Sequence, residues 1–369
     1  MLPVQHRSEK TKLGRPEKRP WAFLARSLPA WSRIGILCFS LASSIQLPPP
    51  RAGEDVPVIG KIDLYGLRKV PADVILRAVP LHPGDRPTTG PFDAVERQLE
   101  AVPGVTKAKV AIVCCDDAKT LLFVGIQEDG AASFSYNPAP RENVALVPAV
   151  RTNYDSFMDI LARAVRAGNS LEDDSAGHAI FAGDEFKPVQ ERFLAQARAY
   201  QDELKRVLRS SARAGDRAIA AWVLGYAADK RQVVDDLLHA VRDPDDLVRN
   251  NATRALGAIA ALARAKPELG IRIDPAIFLE MLHALTWSDR NKATMVLEKL
   301  TENRPADLLQ QLRREALPEL AEMARWQATH SLTSLLLLGR IVGVPDDEVR
   351  RAWKEGRRGE IIERSLRPG

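Results

Sequence analysis

The stretch VVDDLLHAVRDPDDLVRNNATRALGAIA, residues 233–260, contains two amphipathic segments separated by one turn. Pro244 cannot continue the first helix, and Asp246 is placed to cap the second. One helical hairpin cannot bury both apolar stripes, so the pattern predicts neighbouring helix pairs of the same kind, as in an α-solenoid. The apolar residues that recur at helical spacing are Val233, Leu237, Leu238 and Val241, then Val248, Ala252, Ala255, Leu256 and Ile259.

The pattern Arg-x-x-Ala-x-x-x-Leu occurs four times in the C-terminal half, which indicates a repeat protein built from helix pairs. We expect each alanine to allow close helix packing and each leucine to fill the core between repeats. We expect each arginine to reach an aspartate of a neighbouring repeat, and Asp216, Asp246 and Asp289 to cap helices. The matches are Arg217/Ala220/Leu224, Arg249/Ala252/Leu256, Arg290/Ala293/Leu297 and Arg325/Ala328/Leu332, at spacings of 32, 41 and 35 residues.

Residues 243–260, DPDDLVRNNATRALGAIA, resemble a HEAT repeat, close to the short bacterial variety known from PBS lyases. The predicted repeats occupy residues 211–344, and the resemblance is best at 216–260. It implies a solenoid that binds partner proteins on the concave face formed by its second helices. Because some short HEAT-like repeats belong to bilin lyases, it also implies a lyase as an enzyme alternative.

Residues 56–130 predict a small α/β domain. The run 58–67 alternates between inward Ile62 and Leu64 and outward residues that include Tyr65, as in a half-buried strand. Helices are predicted near 71–79 and 91–102, and further strands at 105–113 and 121–128. The predicted fold class is therefore a multidomain α+β protein, in which a small βααββ domain precedes an all-α solenoid and helix dominates overall.

This βααββ unit resembles a POTRA domain, a protein-docking module of bacterial envelopes. The matching segments are IDLYGL with VP (62–67 and 70–71), LHPGD (81–85), VPGV (102–105) and VGIQE (124–128). The resemblance implies that one strand is an exposed edge that accepts a partner strand. The candidate residues of that interaction strand are Lys107, Lys109, Ala111 and Val113. An alternative role for the two lysines is protection of the edge against aggregation.

The remaining segments connect or flank these two units. We predict a Pro-rich linker at 45–55, a connector at 131–150, a helical region at 151–210 and a terminal cap helix at 345–369. The helical region contains a loop, 169–187, with five acidic residues. Their spacing differs from that of a calcium-binding EF-hand loop, so we expect a solvated loop and no metal site. Cys114 and Cys115 are adjacent, and the sequence does not decide between a vicinal disulfide and two free thiols.

The net charge of +5 is concentrated at the N-terminus. Residues 1–53 hold nine Lys/Arg and two Asp/Glu, whereas the remainder holds 44 Lys/Arg and 46 Asp/Glu. Residues 1–44 combine basic residues, an apolar run at 34–41 and then small residues, which is typical of a signal peptide. We predict export with cleavage after Ala42 or Ser44, or retention of this segment as a membrane anchor. The nearly neutral remainder predicts protein partners and no nucleic acid.

No common catalytic motif is present: the sequence contains no metalloprotease motif, nucleophile elbow, phosphate loop or dinucleotide fingerprint. We therefore predict a non-enzymatic adaptor of the bacterial cell envelope without a cofactor. Its partners would bind to the concave solenoid face and to the edge strand. Two alternatives remain open. One is an enzyme, lyase-like or hydrolase-like, with a site near the 169–187 loop, where His178 is the most site-like histidine. The other is a cytoplasmic HEAT scaffold.

Overall fold

The computed structural model of the protein describes residues 57–87, 92–116, 119–167 and 171–367. They all lie in one compact unit. The predicted signal segment 1–44 and linker 45–55 lie outside the described residues, as do the side chains of Cys114 and Cys115. No described helix is both long and apolar enough to cross a membrane.

The N-terminal part has the predicted βααββ order. Its elements are β1 (Ile59–Tyr65), α1 (Ala72–Ala78), α2 (Asp93–Glu100), β2 (Val105–Asp116) and β3 (Lys119–Glu128). The strands form a sheet in the order β1-β3-β2, with β1 parallel and β2 antiparallel to β3. Both helices cover one face of the sheet, where Ile75 and Leu99 pack against Val110, Leu122 and Val124. This small core explains the alternation in β2 and β3, because every second side chain points into it.

Helices dominate the rest of the chain, and a short hairpin interrupts them. The hairpin strands are β4 (Glu172–Asp173) and β5 (Ile180–Phe181). The helices before the repeats are α3 (Pro148–Arg166) and α4 (Lys187–Ala199). The others are α5 (Gln201–Ser210), α6 (Ala214–Leu224), α7 (Val234–Ala240), α8 (Asp246–Ala265), α9 (Ala276–Met281), α10 (Trp287–Leu300), α11 (Ala306–Glu315), α12 (Leu317–Ala324), α13 (Ser331–Ile341), α14 (Asp346–Lys354) and α15 (Arg358–Leu366).

The helix pairs α5/α6, α7/α8, α9/α10 and α12/α13 stack in sequence. Their second helices α6, α8, α10 and α13 pack side by side in that order. Helix α8 lies at the centre of this layer, and all its residues from Val248 to Leu262 are buried. At the far end α14 and α15 pack on α13 through Val349, Ile361 and Ile362. The C-terminal region is thus a helical, solenoid-like stack.

The second face of the sheet is buried against this stack, which corrects the prediction of a half-buried first strand. Tyr65 and Phe123 are fully buried and belong to the same core as the repeats. The Phe123 ring stacks on Trp287 at a centroid distance of 4.7 Å and meets Trp326 at 5.1 Å. The alternating pattern identified the two faces of β1 correctly. The polar residues Lys61 and Asp63 on the second face, however, led to the prediction that this face is exposed to solvent, whereas it packs on the helices.

The connector between sheet and helices runs along the turns of the repeats. Asn137 N donates to Arg242 O at 2.7 Å, between α7 and α8. Glu142 then bridges the turn between α5 and α6, with its N donating to Ser210 O at 3.0 Å. Ser211 Oγ donates to Val144 O at 2.6 Å. The segment therefore follows the stack backwards, from the later repeats to the first, before α3 begins at Pro148.

Candidate protein-binding face

Three of the predicted arginines form a regular ladder of buried ion pairs between successive repeats. Arg217 binds Asp243 with two bonds of 2.7 Å, and Arg249 binds Asp289 at 2.9–3.0 Å. Arg290 binds Glu322 at 3.1 Å. Each guanidinium also donates to the carbonyl six residues before it, at 2.7–2.8 Å. We call these three arginines and their carboxylate partners the ladder edge.

The fourth match does not occupy the equivalent position. Arg325 is the exposed C-terminal cap of α12, where its guanidinium donates to Ala321 O of its own helix at 3.2 Å. Ala328 lies in the turn that follows, and Leu332 lies in the first turn of α13. The match is displaced because Arg325 directly follows the first helix of its pair, α12, whereas the other three arginines lie within second helices. The equivalent helix position, the fourth residue of α13, is Ser334.

The alanines and leucines of the first three matches are all fully buried in the main core. They are Ala220, Leu224, Ala252, Leu256, Ala293 and Leu297. The predicted caps differ: the residue that caps α8 is Asp245, whose carboxylate accepts from Leu247 N and Val248 N at 3.0 and 3.1 Å. Asp216 and Asp289 lie inside their helices, each at the third position. They form ion pairs with arginines instead. Asp216 pairs with Arg151 and Arg213.

A second set of residues, on the same helices or just after them, forms what we call the inner stripe. Its members stand two, five and nine positions after each ladder arginine. They are Ile219, Trp222 and Tyr226; Asn251, Arg254 and Ala258; and Lys292, Met295 and Lys299. The stripe therefore presents one residue triplet from each of three consecutive repeats, and it becomes more basic towards α10.

The chain's own hairpin, residues 171–182, lies across this stripe. Tyr226 Oη donates to Ala179 O at 2.8 Å, and the ring of His178 is 4.9 Å from the Tyr226 ring. On the next helix Arg254 forms an ion pair with Glu172, and Phe181 lies 5.6 Å from its guanidinium carbon. At the third helix Asp174 is 3.5 Å from Lys299 Nζ. The hairpin thus contacts all three repeats in turn.

The charged groups of these contacts are shielded from water, which shifts their pKa values. The side chains of Glu172 and Arg254 are 1% and 3% exposed, and Lys292 beside them is 1% exposed. Burial raises the pKa of Glu172, whereas burial and the neighbouring Arg254 lower the pKa of Lys292 well below its usual value. The acidic loop is consequently not the solvated loop that its composition suggested, because Glu172 and Asp174 bind cations of the second helices.

His178, the most site-like histidine, has a pKa lowered to about 4 by burial and by nearby Lys230. The pKa of Lys230 is in turn lowered to about 8 by burial, and its Nζ donates to Gly225 O at 2.6 Å. The cavity beside His178 and Tyr226 has a volume of about 10 Å³, which is close to the space that one water molecule needs. Within the described ranges, no group of three or more metal-ligating side chains occurs.

The candidate interaction strand, β2, lies at one edge of its sheet. Part of this edge is already covered by α2, because Ala108 N donates to Glu100 at 3.2 Å and Val110 N donates to Glu96 at 3.0 Å. Lys109 Nζ also binds Glu96, at 3.1 Å, while Lys107 is exposed. Ala111 and Val113 do not point to solvent as expected, since both pack partly against the repeat core.

The junction between β1 and the repeats is a site that the sequence did not reveal. Asp63 accepts from Gln327 N and Ala328 N at 2.8 and 3.1 Å, and Tyr65 Oη donates to Leu285 O at 2.7 Å. A side chain at Gly125 would come within 2.6 Å of Leu285 O, so glycine is needed for this close approach. These partners lie more than 200 residues apart in sequence, and no local pattern connects them.

A cavity of about 140 Å³ adjoins this junction, lined by Arg68, His283, Arg290 and Glu319 among others. Arg68 binds Glu319 at 2.7 Å, and His283 Nδ1 is 3.4 Å from the same carboxylate. Burial acts to raise the pKa of Glu319, but the hydrogen bonds from His283, the backbone and Arg68 outweigh it and lower the pKa to about 2. The charges around this cavity are thus already neutralised by one another.

Comparison with known proteins supports the helical part of this description. Residues 202–276 match the family model of HEAT repeats. The matched segment begins within α5 and ends where α9 begins, so it contains the first two stacked helix pairs. No curated protein matches the chain. The C-terminal region is therefore HEAT-like over residues 202–276 and solenoid-like in architecture beyond them, which is an architecture that typically serves protein–protein interaction.

Proposed function

We propose that the protein is a non-enzymatic interaction scaffold of the bacterial cell envelope. The observation that carries this proposal is the inner stripe, because three consecutive repeats there hold a polypeptide segment from outside the repeats, the hairpin 171–182. HEAT-type stacks present such surfaces to partner proteins. The alternative enzyme near the same loop finds little support, since the cavity beside His178 has room for a single water molecule.

The second proposed contact is the β2 edge of the POTRA-like domain. Glu96 and Glu100 already occupy the outward N–H groups of Val110 and Ala108, so a partner strand would add beyond them, towards residues 112–116. The sheet itself is held rigidly on the repeats by Asp63 and Tyr65. We therefore propose that both contacts belong to one body and that their relative position is constant.

The proposed partners are proteins, and they can be sought with the full chain. Affinity purification from an envelope fraction, followed by mass spectrometry, should recover a reproducible partner. A matched bait carrying Lys299→Glu, which reverses one charge of the inner stripe, should recover less of it. A bait carrying Glu185→Gln changes an exposed residue paired with Arg163 and should behave as the unchanged chain. Failure to recover any reproducible partner would contradict the scaffold proposal.

Export is proposed from residues 1–44 and is tested separately. The full chain fused at its C-terminus to alkaline phosphatase should be active, because that enzyme acquires its disulfides only outside the cytoplasm. The matched fusion without residues 1–44 should be inactive. Inactivity of both fusions at equal protein levels would favour the cytoplasmic scaffold and would leave the interaction proposal intact.

A further inference from the structure

The cavity of about 140 Å³ at the junction between the sheet and the repeats is bounded by both layers. Gln127 of β3 and Arg68, which follows β1, line it on the side of the sheet. Arg290 of α10 and Glu319 of α12 line it on the side of the repeats. Arg68 and Ala132 are both exposed, so the cavity reaches the surface there and is accessible to a small molecule.

The arginines and carboxylates around this cavity balance one another. Arg290 pairs with Glu322 at 3.1 Å. Arg68 pairs with Glu319 at 2.7 Å and with Glu322 at 3.2 Å. The side chains of Arg290 and Glu319 are only 5% and 7% exposed, so water screens their charges little. A ligand with a net charge meets a group of its own sign here, whereas a ligand with both charges meets a partner for each.

The lining also has hydrogen-bonding capacity that the described residues do not use. Half-buried Gln127 lies on the helix-facing side of β3, and its side-chain amide forms no hydrogen bond to any of them. Arg290 donates through Nε to a backbone carbonyl and through Nη1 to Glu322, which leaves Nη2. With Nδ1 directed at Glu319, 3.4 Å away, His283 presents Nε2 as an acceptor. The cavity therefore offers both donors and acceptors to a bound molecule.

The volume of the cavity limits the size of such a molecule. A protein cavity of about 150 Å³ holds benzene, so this one accommodates a ligand of about six non-hydrogen atoms. Ile126, Leu285, Ala131 and Ala132 add apolar surface to the lining, which suits a short aliphatic group. The end of a partner's polypeptide chain carries only one of the two charges, so a free small molecule matches the cavity better.

We propose that this cavity binds a free α-amino acid with a short side chain. Arg290 Nη2 binds its carboxylate, and Glu319 together with His283 Nε2 accepts hydrogen bonds from its ammonium group. Gln127 bonds to either group, because its amide both donates and accepts. The inference goes beyond the proposed scaffold function and does not depend on it. It adds a small-molecule ligand that contacts the sheet and the repeats at once.

Equilibrium dialysis of the full chain against radiolabelled L-alanine tests the proposal. We expect saturable binding of a single molecule per chain with a Kd on the order of 0.1–1 mM, which is within the limit of binding energy per atom. Isobutyrate replaces the ammonium group by a methyl group, and isopropylamine replaces the carboxylate by one. Each should bind about tenfold more weakly or less, because one charged group of the cavity then lacks its partner. Inorganic phosphate should not compete.

Two variants of the lining assign the binding to this cavity. Ala131→Leu fills part of the volume and should weaken the binding of L-alanine about tenfold or more. Ala195→Leu makes the same change at an exposed position of α4 and should leave binding unchanged. Gln127→Met keeps the length of the side chain but removes the amide, and the loss of one hydrogen bond should weaken binding about fivefold. Circular dichroism shows whether each variant is folded, and the glutamine variant decides if Ala131→Leu is not.

Because the ligand contacts both layers, it should also stabilise their junction. Saturating L-alanine should raise the Tm of the full chain and slow hydrogen exchange at residues 66–70 and 282–286.

Three results would overturn the inference. The first is the absence of saturable binding up to about 20 mM L-alanine. The second is equally tight binding of isobutyrate or phosphate, which would indicate a simple anion site. The third is binding that is unchanged in both Ala131→Leu and Gln127→Met, since the ligand would then lie elsewhere. The scaffold proposal stands in each case, because its test is the recovery of a protein partner.

Discussion

The ladder edge and the inner stripe belong to the same three second helices, and both bury charge, but they neutralise it differently. On the ladder edge Arg217, Arg249 and Arg290 each have one carboxylate from the next repeat and one carbonyl from their own. On the inner stripe Arg254 is paired with Glu172, a carboxylate that comes from a hairpin outside the repeats. The ladder edge is therefore neutralised within the stack itself, whereas the inner stripe depends on a segment that precedes the repeats in sequence.

The largest effect is expected from Arg249→Ala on the ladder edge. It leaves Asp289 buried beside no guanidinium and removes the bond to Asp243 O, which should cost about 3–5 kcal/mol of unfolding free energy. Urea denaturation followed by circular dichroism measures this loss. Arg325→Ala is the matched control, because that arginine is exposed and should cost less than about 0.5 kcal/mol. Equal losses of unfolding free energy for both variants would show that the buried ion pair of Arg249 stabilises the fold no more than the exposed Arg325 does.

On the inner stripe Glu172→Ala should cost less, about 1–3 kcal/mol, although the residue is equally buried. We expect the effect to be local, because Glu172 lies outside the repeats and local opening of its hairpin would let water reach Arg254 without unfolding the solenoid. Hydrogen exchange should accelerate in residues 172–182 and stay unchanged in α7. Global destabilisation as large as that of Arg249→Ala would contradict the distinction between a charge paired within the stack and one paired with the hairpin.

Acid should act at different pH on the hairpin of the inner stripe and on the cavity that contains Glu319, beside the last pair of the ladder edge. The pKa of His178 is lowered to about 4, so an opened hairpin takes up the proton more readily, and the closed form loses stability as pH falls from 6.5 towards 4. Glu319 has a pKa lowered to about 2, so its contribution is present above pH 4.5 and is lost only as pH falls towards 2. After allowance for solvent screening each effect is about 1–2 kcal/mol.

Hydrogen exchange of the hairpin between pH 7 and pH 4, corrected for the intrinsic rate, checks the histidine effect. The raised pKa of Glu172 acts in the opposite direction, because the closed form then binds a proton more readily than the open form. His178→Asn isolates the histidine and should remove the loss of protection. A pH dependence that persists in this variant would assign the effect to another group.

The smallest expected effects come from two tyrosine hydroxyls, one in each region. Tyr136→Phe removes a 3.1 Å bond to Asp289 on the ladder edge but keeps the ring over Arg249. It should lower global stability by about 0.5–1.5 kcal/mol, measured by urea denaturation. Tyr226→Phe removes the bond to Ala179 O and should mainly accelerate hairpin exchange. A local effect of Tyr136→Phe together with a global effect of Tyr226→Phe would contradict the placement of Tyr136 on the ladder edge and of Tyr226 on the inner stripe.

Local periodicity predicted the parts of the structure that depend on near neighbours in sequence. The helix positions of Ala252, Leu256 and their equivalents are buried as expected, and the βααββ order is confirmed. The HEAT match over residues 202–276 agrees with the repeats read from the sequence. These features follow from spacing alone, because a helix repeats its facing side chains every three to four residues.

Contacts between distant segments were not predicted. Arg325 matched the repeat pattern but lies just after α12, because a spacing pattern does not reveal whether its arginine falls in a second helix or at the end of a first helix. Asp63 looked like a solvent-facing residue, yet its partners lie 264 and 265 positions later. Glu172 and Arg254, 82 residues apart, carry no signal of pairing. An unusual charge within a small-residue helix, such as Arg254 or Lys292, was the one available hint of the inner stripe.

The backward course of the connector has a consequence for how the chain folds. The sheet is synthesised first, but Leu285 and Gln327, which hold it, follow 220 and 264 residues later. Closing such long loops before the contacts form makes folding slow, and a nascent chain cannot complete it from the N-terminus. Repeat stacks often lose their end units one by one. Here the two ends are bound together through the sheet and connector, so we expect a single cooperative transition, and removing the last repeats should release the first domain as well.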